Sequence, residues 1–252
     1  MKHGNLVGSL GMVLAAIAMT ACTTTESDTE APAFPEGTGQ VAHPVAYPAG
    51  PYGISKSSII RNYSFVGFSD AKTATSSMQQ IQLADFYNPH AFDKTYNPAS
   101  ADEDDRRFPP GSQYGAGELK PTVLHIDVAS VWCGPCNEEA KTLLPVKHTS
   151  YKPCGGEILL QLADGPTPGT AATPQNLINW TKKYGVDFPA TIDPSYKLSS
   201  LFEADAYPAN MIIDLTTMEM VDVLAGEPVD GDPFWDHLEA HLDKTRPGCT
   251  VK

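Results

Sequence analysis

The 252-residue chain has few basic residues, 17 Lys and Arg against 30 Asp and Glu, leaving a formal net charge of −13. That balance excludes a nucleic-acid binder, which needs a basic surface to neutralise phosphates. Apolar runs are also scarce. An apolar stretch without a charge, from Leu6 to Met19, is shorter than a bilayer-spanning helix requires. There is no repeat at the periods of solenoids or propellers, no phosphate-binding glycine loop and no Ser–His–Asp pattern. A zinc site would need four ligands, and no second Cys-x-x-Cys or His pair at ligand spacing accompanies the pair at Cys133 and Cys136. No metal and no cofactor is therefore expected.

What is present begins at the N-terminus. Lys2, the apolar run and the small residues before Cys22 have the layout of a secretory signal. Met19-Thr20-Ala21-Cys22 resembles the lipobox of bacterial lipoproteins, which implies cleavage after residue 21, acylation of Cys22 and a lipid anchor in a bacterial membrane. The alternative is an ordinary cleaved signal ending near Ala21. From Thr23 to about Gly50 the chain is Thr, Pro, Ala, Gly and Glu with hardly a large apolar side chain, a composition that forms a tether rather than a core. The expected organisation is a signal peptide over 1–21, a lipidated cysteine and tether over 22–50, and one domain over 51–252.

Within that domain, Ser58–Phe68 and the alternation about Ile81 and Leu83 predict strands. Residues 88–120 lose periodicity and hold Asp102-Glu103-Asp104-Asp105-Arg106-Arg107, which predicts a solvated, loop-rich insertion. Val123–Val128 predicts a buried strand, followed by a helix over Asn137–Leu144 and a strand over Ile158–Leu162. Thr173-Pro174 opens a helix that Gly185 closes. A short helix is expected over Tyr196–Phe202, an antiparallel pair over Met211–Asp214 and Met218–Leu224, and a last helix from Asp232-Pro233 with Trp235, Leu238 and Leu242 on one stripe. The order predicts an α/β fold around a mixed sheet.

The chemistry sits at Cys133 and Cys136. A two-residue spacer lets the two sulfurs meet as a reducible disulfide. A cysteine at a helix N-terminus lies beside unsatisfied N–H groups and the positive end of the helix dipole, which favour the thiolate, the attacking species in disulfide exchange. Cys133 would attack and Cys136, one turn further in, would resolve. Pro135 fits the first turn, where a missing N–H costs nothing. Of the other cysteines, Cys154 and Cys249 are either a structural disulfide or two free thiols.

Trp132-Cys133-Gly134-Pro135-Cys136 resembles the active-site motif of the thioredoxin-like superfamily, and the secretion signal and additional N-terminal strands resemble its TlpA-type extracytoplasmic members. The resemblance covers roughly 58–242 and implies a thioredoxin fold, a central mixed sheet flanked by helices, with extra N-terminal strands. It implies that Asp127, six residues before Cys133, relays a proton for the resolving cysteine, and that Pro208 is a cis-proline. Tyr207 and Pro208 would then hold substrate backbone beside a docking surface of Trp132, Gly134 and Pro135. The implied activity is thiol–disulfide exchange outside the cytoplasm, as a reductase of protein or small disulfides fed by an electron-donor protein. A surface-anchored binding module with a structural disulfide is the alternative.

Three features depart from the family pattern, one of them the segment from Asn88 to Lys120, which has no clear family counterpart. Lys141 stands where a helix-kinking proline is usual, with Pro145 later, and the acid that TlpA-type proteins often place near the site has no obvious counterpart. Glu138 and Glu139 read as first-turn helix charges. His125 shares a strand face with Asp127 and reads as an ordinary core histidine. His237 and His241 read as exposed helix residues.

Overall fold

A computed structural model describes residues 45–53, 55–73, 78–198 and 206–252, besides Met1. The apolar leader, Cys22 and most of the tether lie outside the described residues, as does most of the helix expected over Tyr196–Phe202. No helix among the described residues is long and apolar enough to cross a membrane.

Among the described residues seven strands form one sheet: β1 (Ser64–Phe68), β2 (Gln79–Gln82), β3 (Val123–Ser130), β4 (Gly156–Asp164), β5 (Ala190–Ile192), β6 (Ala209–Asp214) and β7 (Glu219–Ala225), in the order β2-β1-β5-β4-β3-β6-β7. β3, β4 and β5 run parallel, while β1 and β2 on one side and β6 and β7 on the other are antiparallel. Every residue of β3 and β4 is buried, as expected of parallel strands covered on both faces. This is the mixed sheet the sequence predicts. β5 is the strand it does not reveal, because three residues are too few to show a period.

Alternation along β3 separates two cores. Leu124, Ile126 and Val128 face a cluster with Ile60, Phe65, Phe86, Phe108 and Met211. Val123 and Ala129 face the helical layer. That layer comprises α1 (Gly134–Glu138), α2 (Leu144–Tyr151), α3 (Pro174–Tyr184) and α4 (Pro233–Glu239). Thr173 caps α3 by accepting from Asn176 N, and Gly185 ends it in the left-handed region at φ 65°. α4 ends three residues before Leu242, which is nonetheless buried with Trp235 and Leu238.

Residues 88–120 are more than a solvated insertion. Phe108 is buried and stacks on Tyr114, whose hydroxyl donates to Asp85 at 2.9 Å, and Lys120 is buried with its Nζ donating to Tyr87 O. The segment covers the sheet face opposite the α1 layer with aromatic side chains, a contribution masked in the sequence by its charges.

Candidate active site

β3 ends at Ser130 and the chain turns straight into α1, with Cys133 as its N-cap. Cys133 Sγ accepts the Cys136 N–H at 3.1 Å, so the sulfur occupies the place of a capping oxygen. Pro135 lies in the first turn. Cys133 and Cys136 are joined as a disulfide. Both are buried, Cys133 at 2% exposure, while Gly134 and Pro135 between them are exposed. Asn137 locks this corner: its amide donates to Val131 O and Cys133 O, and its oxygen accepts from the Tyr184 hydroxyl of α3.

Of the docking residues expected from the sequence, Trp132 and Tyr207 come together. Trp132 is 39% exposed and meets the Tyr207 ring edge-on at 5.9 Å. The Tyr207–Pro208 peptide is cis, and Pro208 O accepts the Gly226 N–H at 2.8 Å. Sequence reasoning missed what holds Trp132. Its indole N–H donates to Asp164 at the end of β4 at 2.9 Å, and the same buried carboxylate accepts from the Tyr196 hydroxyl at 2.6 Å and Gly169 N at 3.0 Å.

Asp127 is fully enclosed on the face of β3 that carries Ala129, the residue packed with both cysteines. Glu139 lies in the same buried space, and here the expectation of a first-turn charge is corrected. Glu138 does behave that way, exposed and 3.6 Å from Lys141. Glu139 is 0% exposed, because a residue three beyond Cys136 shares its inward face of the helix. That spacing is the signal that would have found it. The helix is also irregular here: Glu139–Leu143 forms a π turn closed by Leu144 N–H on Glu139 O, just before Pro145. The break that the family makes with a proline at the Lys141 position is thus replaced by a π turn.

Burial raises the pKa of both acids, and the Asp127 charge raises that of Glu139 further. Desolvation and the repulsion between the two charges both favour the protonated forms of this pair. His125 is also enclosed. Its Nε2 meets Asn210 Oδ1 at 2.5 Å, while Asn210 Nδ2 donates to Gly226 O, which fixes the amide orientation and the Nε2–H tautomer. Burial lowers the His125 pKa to about 4, so the ring is neutral.

Cys154 and Cys249 form a second disulfide, resolving the open choice; Cys154 is fully buried among Tyr151, Trp235 and Leu238. His237 and His241 engage different acids, Asp222 and Asp214. Among the described residues no group of three or more His, Cys, Asp or Glu side chains is placed to hold a metal.

No protein-family model matches the chain. Over 137 residues it is 26% identical to the thiol-disulfide oxidoreductase ResA of Bacillus thuringiensis (strain Al Hakam), covering 54% of this chain and 71% of that relative. ResA of Bacillus anthracis matches with the same figures. A Chlorobium tepidum protein, assigned as a thiol:disulfide interchange protein DsbE, superposes with a TM-score of 0.50 at 15% identity, over 75% of this chain and 99% of that one. The chain has a thioredoxin fold and is similar in sequence to ResA-type thiol-disulfide oxidoreductases.

Proposed function

We propose that this chain is an extracytoplasmic thiol-disulfide oxidoreductase that reduces disulfides of proteins or small molecules through Cys133 and Cys136. The observation that carries the reading is Cys133 Sγ at a helix N-terminus, already accepting the Cys136 N–H at 3.1 Å. The same donor and the helix dipole would stabilise a thiolate there.

In the reduced form the Cys133 thiolate attacks one sulfur of the substrate disulfide and expels the other. Cys136, its proton passed to the Asp127–Glu139 pair, then attacks Cys133 Sγ. The Cys133–substrate bond breaks, the electron pair leaves with the substrate sulfur, and the Cys133–Cys136 disulfide remains. Trp132, Gly134, Pro135 and the backbone at Tyr207-Pro208 would form the docking surface. A dithiol donor protein would return the spent disulfide to the reduced form. Gly-Pro between the cysteines matches thioredoxin, whose potential of about −270 mV suits a reductase. Lipidation at Cys22 would hold the protein at a bacterial membrane, facing an oxidising compartment.

A second reading, a surface-anchored binding module whose disulfide is structural, draws on the 2% exposure of Cys133. Incubating reduced Cys136→Ser protein with insulin separates the two. The oxidoreductase accumulates a mixed disulfide on Cys133; a binding module leaves that thiol unmodified.

A further inference from the structure

Asp127 and Glu139 bury four carboxyl oxygens with no hydrogen-bond partner among the described residues. Asn210 approaches Glu139 without completing a bond of good geometry. Burying such groups unpaired is costly, so their retention points to use. They are also sealed: Asp127 is 1% and Glu139 0% exposed, so neither exchanges protons with bulk water directly.

The surroundings of the pair narrow the route out. On β3 its titratable neighbour is His125, neutral and committed to Asn210. From α4, Phe234 and Trp235 pack on His125 and bring no charge. On α1 stand the two cysteines, and Lys141 of the π turn is exposed beside Glu138. The remaining charged group is Glu227, half-buried just past β7, whose negative charge acts on Glu139. Its position is built: Gly226 O accepts from Asn210 Nδ2 at 3.1 Å, and Gly226 N donates to Pro208 O at 2.8 Å. The loop bearing Glu227 is thereby sewn both to the buried polar cluster and to the cis-proline.

We propose that Glu227 is the solvent port of a proton path that runs from Cys136 through Asp127 and Glu139, with Asn210 holding the port in register. The proposal rests on the oxidoreductase reading. In the resolving step the Cys136 S–H gives its proton to the carboxyl pair as its sulfur bonds to Cys133 and the substrate thiolate leaves. The pair then passes that proton to the Glu227 carboxylate, which releases it to water. When a donor dithiol reduces the disulfide, the same path runs inward and delivers a proton to the departing Cys136 thiolate.

The test measures the rate of mixed-disulfide resolution in the full chain by stopped-flow tryptophan fluorescence, for the wild type and Glu227→Gln, with and without added imidazole. The expected result is a slowing of at least roughly 10-fold in the variant near neutral pH, below the full effect of a direct acid–base group because the port acts through Glu139. Imidazole restores the rate, since an external base replaces a missing proton path. A variant as fast as the wild type overturns the proposal, and so does a slowing that imidazole does not relieve, which marks a structural role. A Cys136→Ser chain that forms no mixed disulfide with insulin removes the oxidoreductase reading itself, and the port with it.

Discussion

The indole N–H of Trp132 donates to Asp164 Oδ2 at 2.9 Å, tying the residue before Cys133 to the end of the neighbouring strand. Asp164 also receives Tyr196 and Gly169, so one buried carboxylate orients the aromatic side of the proposed docking surface.

Asp164→Ala breaks all of these bonds. Hydrogen bonds to a charged group contribute about 1.5–3 kcal/mol each, though not additively, so a stability loss of about 2–3 kcal/mol is expected in urea titrations. KM for insulin rises several-fold while kcat holds, because the thiols stay in place. Tyr196→Phe removes the bond to Asp164, costs about 1.5 kcal/mol and leaves KM unchanged. Equal KM values in all forms would show that Trp132 does not meet substrate.

The Cys154–Cys249 disulfide spans a sequence separation of 95 residues and pins the C-terminal tail beneath α2. A loop of this size is worth about 4–5 kcal/mol in the chain-entropy model, which is disputed. The double variant Cys154→Ala, Cys249→Ala is expected to lose about 2–5 kcal/mol by denaturant unfolding yet reduce insulin at the wild-type rate. Thiol labelling during a dithiothreitol titration should open Cys133–Cys136 before the Cys154–Cys249 pair, whose long loop favours the closed form.

The buried acids fix the sign of a pH dependence. Asp127 and Glu139 both have folded-state pKa values raised by burial, against about 4 in the unfolded chain. The folded state therefore binds more protons between those values. The pair's contribution is fully present below pH ~4 and is lost as pH rises through the raised folded values. Asp127→Asn and Glu139→Gln remove one ionisation each. Each variant should be more stable than the wild type at pH 8, by on the order of 1–3 kcal/mol, with the advantage shrinking toward pH 5. An advantage that is constant with pH would contradict the raised pKa values.

Where one residue type carries the signal, the sequence was readable. Trp132-Cys133-Gly134-Pro135-Cys136, the Thr173-Pro174 start and Gly185 stop of α3, and the β6–β7 pair all stand in the structure as their local chemistry dictates. Other features depend on contacts between distant segments. Glu139 looks like any helix glutamate until the buried charge of Asp127 on β3 is found to act on it. Asp164 gains its role from Trp132 and Tyr196, each 32 residues away along the chain. Phe108 enters the core from a segment whose charges suggest full solvation. β5 forms because β1 and β4 offer it pairing edges, which no property of three residues announces.

The central claim, that Cys133–Cys136 is a working redox pair, is tested most directly by its equilibrium potential, measured against dithiothreitol buffers alongside insulin reduction. The account predicts a potential near that of thioredoxin, about −270 mV, with turnover lost in Cys133→Ser. A potential well below about −300 mV with no insulin reduction would make the disulfide structural and contradict it.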